Sequence, residues 1–100
     1  GQMCDMVAIR AVADRHGLAV VEDAAHCVEG ARDGVRPGVL SEAACFSFYA
    51  TKSMTSGEGG ALITRCADLA ERVRLTHQQG LTSGAADCER LGYRHRDMVA

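Results

Sequence analysis

The chain has 100 residues, of which 47% are apolar and 24% are charged, and its formal net charge is -2 at pH 7. An apolar content near one half, with one proline and eleven glycines, is typical of a packed globular domain and excludes a disordered or collagen-like chain. A chain of this length has room for one domain. The slight negative charge argues against nucleic acid as a partner, because a protein that binds the phosphate backbone carries an excess of Lys and Arg.

The apolar runs and the cysteines indicate where the protein resides. No apolar run approaches the roughly 18 to 20 residues that cross a bilayer, and the opening segment 1–5 is neither a basic signal peptide nor an initiator methionine. We therefore expect a cytoplasmic protein with no membrane partner, and a sequence cut from a longer one. The cysteines are odd in number and lack a C-x-x-C pair, which favours buried free thiols over disulfides or a zinc site. They are Cys4, Cys27, Cys45, Cys66 and Cys88.

The first predicted elements are a helix and a buried strand. Asp5 can cap a helix over residues 5–16, and Gly17 is its stop. Residues 18–22 begin with four apolar residues in a row, which predicts a strand covered on both faces, as in a parallel sheet. The helical positions that follow the 3.6-residue apolar period are Met6, Ile9, Val12 and Ala13.

The middle of the chain predicts two further strands. Residues 24–43 are rich in turn residues and predict an irregular surface segment, with a small hairpin at Asp33-Gly34. Apolar runs at 44–48 and 61–64 predict the second and third strands. The small, polar connection between these two strands contains Lys52.

The last third of the chain predicts one helix. Asp68 lies in the first turn of a helix that runs to about Gln79, with Gly80 as its stop. After Gly80 the sequence shows no strong period. Together these elements predict an α/β protein. The apolar face of this helix is predicted to comprise Leu69, Ala70, Val73 and His77.

Lys52 is the only lysine of the chain, since the other ten basic residues are arginines. Unlike arginine, lysine can lose its proton near neutral pH and form an imine with a carbonyl group. This difference makes Lys52 a candidate for covalent chemistry. At this point of the argument, a solvated surface lysine is the open alternative.

Chemically capable side chains follow the predicted strands where each one ends. Asp23 follows the first strand, Ser47 and Tyr49 end the second, and Lys52 comes a few residues later. In α/β sheets, ligands bind at the carboxyl ends of the strands. An acid at a strand end, an amine on a neighbouring loop and nearby hydroxyls are the groups that pyridoxal phosphate requires, for its pyridine nitrogen, its aldehyde and its phosphate. Each residue is common separately, so the spacing alone leaves this assignment open.

Three segments carry a family resemblance: residues 20–26 (Val-Val-Glu-Asp-Ala-Ala-His), 46–52 (Phe-Ser-Phe-Tyr-Ala-Thr-Lys) and 57–62 (Gly-Glu-Gly-Gly-Ala-Leu). They resemble the DegT/StrS family of pyridoxal-phosphate-dependent nucleotide-sugar aminotransferases. The resemblance extends over about residues 3–80. Its most specific part is Ser-Phe-x-x-x-Lys followed by Glu-Gly-Gly.

The resemblance implies a role for four residues. Lys52 is the lysine that binds the pyridoxal 5'-phosphate cofactor covalently, and Asp23 pairs with the pyridine nitrogen. His26 lies against or beside the cofactor ring, and Ser47 contacts the phosphate. The resemblance also implies that residues 1–100 are a fragment of the large domain of an aspartate-aminotransferase-like, fold type I enzyme, with a mixed, mostly parallel sheet. The N-terminal phosphate loop, the C-terminal small domain and the partner of a homodimer then lie outside this sequence.

The function implied by the resemblance is transfer of an amino group from an amino acid, expected to be glutamate, to a keto group of a nucleotide-activated sugar. Relatives that act as sugar dehydratases carry His where Lys52 stands, so the lysine favours transamination. A dehydratase and a catalytically inactive fragment are alternatives. A metal-dependent hydrolase is a further, less favoured alternative, because no second histidine follows at metal-ligand spacing. Its ligands would be Glu22, Asp23, His26 and Glu29.

Overall fold

The computed structural model describes residues 1–77, 81–82 and 85–86. The chain divides into two compact units, Gly1–Arg65 and Cys66–Ala100. The elements of the first unit are α1 (Met6–His16), β1 (Val21–Asp23), β2 (Ala43–Ser47) and β3 (Gly60–Ile63), and those of the second are α2 (Ala67–His77), β4 (Leu81–Thr82) and β5 (Ala85–Ala86).

The ends of α1 confirm the predicted caps. The Asp5 carboxylate accepts a hydrogen bond of 2.9 Å from the Ala8 N–H, which satisfies a donor that the first turn leaves unpaired. Gly17 ends the helix in the left-handed conformation, at φ 62°, which glycine adopts without steric penalty. The predicted apolar face is only half buried. Met6 and Ala13 are buried, whereas Ile9 and Val12 are 40% and 46% exposed.

The first unit contains a three-stranded mixed sheet in the order β1-β2-β3. β1 runs parallel to β2 with Asp23 opposite Cys45, and β2 runs antiparallel to β3 with Ser47 opposite Gly60. The predicted α/β class and the second and third strands are therefore confirmed to within one residue. Lys52 lies in the connection between β2 and β3, as predicted.

The prediction for β1 is wrong in its bounds and its burial. The strand begins at Val21 instead of Leu18, and it includes Asp23 as its last residue. Leu18 and Val21 are 57% and 65% exposed, so the strand is not covered on both faces within the described residues. The physical reason is that no described element covers the side chains of Leu18 and Val21, and only Val20 of the apolar run packs against the core.

The core of the first unit connects α1, the end of β1 and the middle of β2. Its buried members are small or flexible, so close backbone packing takes the place of large side chains. Around this core pack the partly buried Val20, Val35, Leu40 and Phe46, and its buried members are Met3, Met6, Ala24, Cys27 and Ala44.

The cysteines are only partly as expected. Cys4, Cys27 and Cys45 are free thiols, which agrees with the prediction against disulfides. Burial is confirmed for Cys27 alone, since Cys45 is partly exposed and Cys4 and Cys66 are exposed. Cys88 lies outside the described residues.

The predicted tight turn at Asp33-Gly34 is confirmed. Asp33 and Gly34 both have positive φ, at 52° and 79°, and they connect an antiparallel bridge between Arg32 and Val35. Positive φ at both central residues is the signature of a type I′ hairpin turn. This small hairpin lies within the irregular segment that precedes β2.

The second unit begins with α2, whose start near Asp68 is confirmed. Leu75 is its buried residue, whereas the four residues of the predicted face are partly buried or exposed. The predicted end at Gln79 and Gly80 lies outside the described residues. β4 and β5 form a short antiparallel pair where the sequence showed no period. Among the described residues, neither helix is long and apolar enough to cross a membrane.

Candidate functional site

His26 lies in the turn that follows β1, residues 23–27, here named the His26 turn. The Ala24 N–H donates to the Cys45 carbonyl at 2.8 Å, which continues the pairing with β2, and the Cys27 N–H donates to the Ala24 carbonyl at 2.9 Å. Ala24 and Cys27 are 3% and 8% exposed. The turn is therefore fixed by one buried residue on each side of His26, and the His26 side chain itself is exposed.

Lys52 lies in the connection between β2 and β3, residues 49–59, here named the Lys52 loop. The Phe48 N–H donates to the Gly59 carbonyl at 2.8 Å, so the two ends of the loop meet directly beyond the strands. The Lys52 N–H donates to the Tyr49 carbonyl at 2.9 Å, which closes a turn before the lysine. These bonds place Lys52 close to the carboxyl end of β2.

The glycines after Lys52 are required by backbone geometry. Gly57 and Gly59 have φ values of 84° and 136°, in a region that side chains with a Cβ rarely enter. A Cβ placed on Gly60 would lie 2.7 Å from the Phe46 carbonyl oxygen, which is closer than atoms pack. The glycines of the Gly-Glu-Gly-Gly motif are thus needed for the chain to turn back and enter β3.

The side chains of Lys52 and His26 meet. Lys52 Nζ lies 2.6 Å from His26 Nε2, across 26 positions of sequence. At this distance one nitrogen donates and the other accepts, so an ammonium on Lys52 requires a neutral His26 with its proton on Nδ1. Lys52 is partly buried. The chain therefore holds its only side-chain amine next to a group that can accept a proton from it.

Asp23 stands at the carboxyl end of β1, three positions before His26. Its Oδ1 accepts a hydrogen bond of 3.1 Å from the Ala25 N–H, which is an Asx turn that shapes the start of the His26 turn. Its Oδ2 makes no hydrogen bond or ion pair within the described residues, so it is available to a ligand. Asp23 does not bond directly to Lys52 or His26 in that part of the chain.

Ser47 stands at the carboxyl end of β2, in the strand next to that of Asp23. Its Oγ accepts a hydrogen bond of 3.3 Å from the Tyr49 N–H. The hydroxyl keeps its own proton, which it can donate to an acceptor such as a phosphate oxygen. Within the described residues, Ser47 likewise makes no hydrogen bond to the Lys52 amine.

The proposed metal-ligand set is not assembled. Glu22 precedes Asp23 in β1, and successive side chains of a strand point to opposite faces. Its carboxylate accepts bonds from the Gly38 N–H at 2.8 Å and the Ser41 hydroxyl at 2.5 Å. Among the residues that the structure describes, no group of three or more His, Cys, Asp or Glu side chains is arranged to hold a metal ion. The hydrolase alternative therefore lacks its ligand site in this part of the chain.

Sequence reasoning missed a network of charged side chains that connects α1 to the residues just before β1 and β2. Glu42 Oε2 accepts a bond of 2.5 Å from the Val20 N–H, and Glu42 Oε1 lies 3.0 Å from Arg10 Nη1. Arg10 also donates to the Leu18 carbonyl at 3.1 Å. The Val20 N–H lowers the pKa of the Glu42 carboxyl most, and the backbone N–H of Glu42 and then the Arg10 charge lower it further, although desolvation opposes this. No sequence signal connects residues so far apart.

Comparison with known proteins places the site in context. A family model described as the DegT/DnrJ/EryC1/StrS aminotransferase family matches residues 1–97. The chain is 47% identical over 85 residues to the spore coat polysaccharide biosynthesis protein SpsC of Bacillus subtilis, covering 85% of this chain and 22% of that protein. It is 47% identical over 81 residues to GDP-perosamine synthase of Caulobacter vibrioides, covering 81% of this chain and 22% of that protein.

A solved structure gives the same result for the fold. The crystal structure of DesI in the presence of its TDP-sugar product aligns with a TM-score of 0.74 and 46% identity, over 83% of this chain and 21% of that chain. The α/β class predicted for this chain is therefore confirmed, and the aligned 83% of the chain matches a part of the fold of the DesI structure. The chain spans about a fifth of the length of the relatives that it matches.

Proposed function

Because the chain belongs to the DegT/DnrJ/EryC1/StrS aminotransferase family, we propose that it is a piece of the cofactor-binding large domain of a transaminase. The whole enzyme moves an amino group from an amino acid to a keto group of a nucleotide-activated sugar. The observation that carries this proposal is the 2.6 Å contact between Lys52 Nζ and His26 Nε2. It brings the only lysine of the chain to a basic nitrogen beside the carboxyl end of β1.

The residues present fit pyridoxal 5'-phosphate, the cofactor that the family implies. Lys52 supplies a primary amine for the aldehyde, and Asp23 Oδ2 is free to accept from a protonated pyridine nitrogen. The Ser47 hydroxyl retains a proton to donate to the phosphate, because its oxygen already accepts from Tyr49. When bound, the cofactor would supply an aldehyde for amine exchange and a ring that takes up electrons from the substrate carbon.

The residues of the chain have separate tasks in this reaction. Lys52 Nζ would give and take the proton at the substrate carbon as general acid and base. His26 Nε2 accepts a hydrogen bond from that amine and orients it. Asp23 keeps a negative charge beside the pyridine nitrogen, which stabilises its protonated form. His26 also lies beside the cofactor ring in this proposal.

The sugar nucleotide as substrate is supported by the relatives. The name GDP-perosamine synthase and the TDP-sugar product of DesI both refer to nucleotide sugars. We keep glutamate as the expected amino donor, a cytoplasmic location and a homodimer as parts of the same proposal. Lysine at position 52 supports amino transfer over dehydration, because members of the family that act as sugar dehydratases carry His at this position.

The direct test is covalent trapping on the 100-residue chain. The protein is mixed with pyridoxal phosphate, reduced with borohydride and mapped by mass spectrometry. In a protein produced as residues 1–100, Gly1 and Lys52 carry the only primary amines, so the Gly1 label is an internal standard for non-specific reaction. We expect Lys52 to be labelled at least about tenfold faster than Gly1, as befits an oriented amine.

Two variants control this experiment. Lys52→Ala removes the amine, and Lys52→Arg keeps the positive charge but cannot condense with the aldehyde. Both are expected to leave only the Gly1 label. Circular dichroism first verifies that residues 1–100 are folded; equal labelling of Gly1 and Lys52 in the folded, unmodified chain would contradict the assignment.

A further inference from the structure

The Phe48 peptide group holds both arms of the Lys52 loop. Its N–H donates to the Gly59 carbonyl at 2.8 Å, at the far end of the loop. Its carbonyl accepts two bonds from the returning arm, 2.9 Å from the Ser56 N–H and 3.1 Å from the Thr55 hydroxyl. Both acceptor positions of this carbonyl are thereby used. The segment from 49 to 55, with Lys52 at its middle, is closed onto one residue.

The Thr55 hydroxyl is the side-chain part of this closure, and it makes two bonds. It donates to the Phe48 carbonyl and accepts from the Gly57 N–H at 3.0 Å. It therefore connects the end of β2 to the glycine turn that leads into β3. The neighbouring Ser56 hydroxyl donates to the Glu58 carbonyl at 2.6 Å, so its bond stays within the tip of the loop.

Packing cannot order this loop, which is why the hydrogen bonds matter. Lys52 itself is partly buried, but the residues on both sides of it are exposed. Exposed segments gain little from burial and open easily. The lysine side chain has several rotatable bonds, and its amine meets His26 Nε2 only while the loop holds the Lys52 Cα within reach of that nitrogen. The exposed neighbours are Ala50, Thr51, Ser53, Met54 and Thr55.

We propose that Thr55 is a positioning residue for Lys52: its hydroxyl closes the Lys52 loop onto Phe48 and so fixes where the Lys52 amine stands relative to His26. The inference rests on the proposed function only for naming Lys52 as the reactive group. Loss of the hydroxyl lets the 49–55 segment open. The Lys52 amine then spends less time in the oriented position, and its reaction with an aldehyde slows.

Three variants separate this role from a general loss of structure. Thr55→Val removes the hydroxyl and keeps the shape, Thr55→Ser keeps the hydroxyl, and Ser56→Ala removes the neighbouring hydroxyl. The measured quantity is the ratio of Lys52 to Gly1 labelling by pyridoxal phosphate and borohydride. We expect Thr55→Val to lower the ratio about fivefold to tenfold, in line with one lost hydrogen bond. Thr55→Ser and Ser56→Ala are expected to stay within about twofold.

A second pair of measurements needs no cofactor. In the unmodified chain, amide hydrogen exchange of Ser56 and Gly57 should be slower than that of Ser53 and Met54, because only the first two donate bonds in the closure. Reductive methylation with carbon-13 formaldehyde also gives one side-chain signal, from Lys52. That signal should narrow toward a flexible-chain value in Thr55→Val and remain broad in Thr55→Ser.

The outcomes distinguish the two proposals. If Lys52 is not labelled in preference to Gly1 but Ser56 and Gly57 are protected, the proposed function fails and the closure of the loop stands. If Thr55→Val keeps the labelling ratio and the Lys52 signal of the unmodified chain, the positioning role is wrong. An equal loss in Ser56→Ala, or unprotected Ser56 and Gly57 amides, overturns it as well.

Discussion

The His26 turn and the Lys52 loop supply the two nitrogens of one hydrogen bond, but different forces hold them. The His26 turn rests on Ala24 and Cys27, which are 3% and 8% exposed. The Lys52 loop consists mostly of exposed residues and is closed by hydrogen bonds to Phe48. Buried residues hold the backbone around them in place, whereas hydrogen bonds in exposed segments open at a low free-energy cost. We infer that the histidine is the fixed half of the pair and the lysine the adjustable half.

The same substitution in both regions gives the largest contrast. Ala24→Leu inserts three carbon atoms into a packed core and is expected to lower the free energy of unfolding by about 1–3 kcal/mol. Ala50→Leu makes the same change at an exposed position of the Lys52 loop and should stay within about 0.5 kcal/mol. Urea denaturation measures both. Equal losses would mean that the loop is packed as tightly as the turn.

A glycine pair tests the two ends of the motif that follows Lys52. Gly60→Ala brings a Cβ to 2.7 Å from the Phe46 carbonyl, so backbone pairing between β2 and β3 must shift, and we expect a loss of about 2 kcal/mol. Gly57→Ala meets no atom within 4 Å but is strained by its φ of 84°, for a loss of about 1 kcal/mol. Thermal unfolding followed by circular dichroism compares them. A larger loss of stability for Gly57→Ala than for Gly60→Ala would show that backbone strain at Gly57 outweighs the steric clash at Gly60.

The smallest expected effect concerns pH. Hydrogen bonds from the Val20 N–H and the backbone N–H of Glu42, followed by the Arg10 charge, lower the pKa of Glu42 below its ordinary value of 4.5. A carboxyl whose pKa is lower in the folded state stabilises the fold at pH values above its ordinary pKa. This stabilisation is lost as the pH falls through the lowered pKa of the folded state. Glu42→Gln should therefore flatten the decrease in stability between neutral and acidic pH, measured by urea midpoints.

The control for the pH experiment lies in the Lys52 loop. Glu58→Gln removes an exposed carboxylate that makes no ion pair within the described residues, so the acid dependence of stability should remain that of the unmodified chain. The effect at Glu42 is modest, because its ion pair with Arg10 is exposed to solvent. An unchanged pH profile in Glu42→Gln would show that the network does not contribute to the stability of the strands.

The parts of the fold that depend on local chemistry could be predicted from the sequence. Asp5 and Gly17 fix the ends of α1 through their own side chain and backbone, and Asp33-Gly34 fixes a hairpin in the same way. β2 and β3 were recognisable as short apolar runs. The burial of β1 was not predictable, because an apolar run looks the same whether or not other elements cover the faces of its strand.

The candidate site could be predicted in its residue types but not in its contacts. Lys52 was recognisable because a single lysine among arginines is a chemical exception, and Asp23 because it ends a strand. The pairing of Lys52 with His26 joins residues 26 positions apart, and no periodicity encodes such a distance. Thr55 gave no signal of its own either, since a threonine in a polar loop has many possible hydrogen-bond partners.

The exposed edge of β1 has a practical consequence for the chain by itself. Within the described residues, β1 pairs only with β2, and Val21 at its start is 65% exposed. A strand whose backbone N–H and C=O groups are unpaired along one side is a template for other extended chains. In concentrated solution, molecules of the chain are expected to associate through this edge. Replacing Val21 by a charged residue is the change expected to prevent that association.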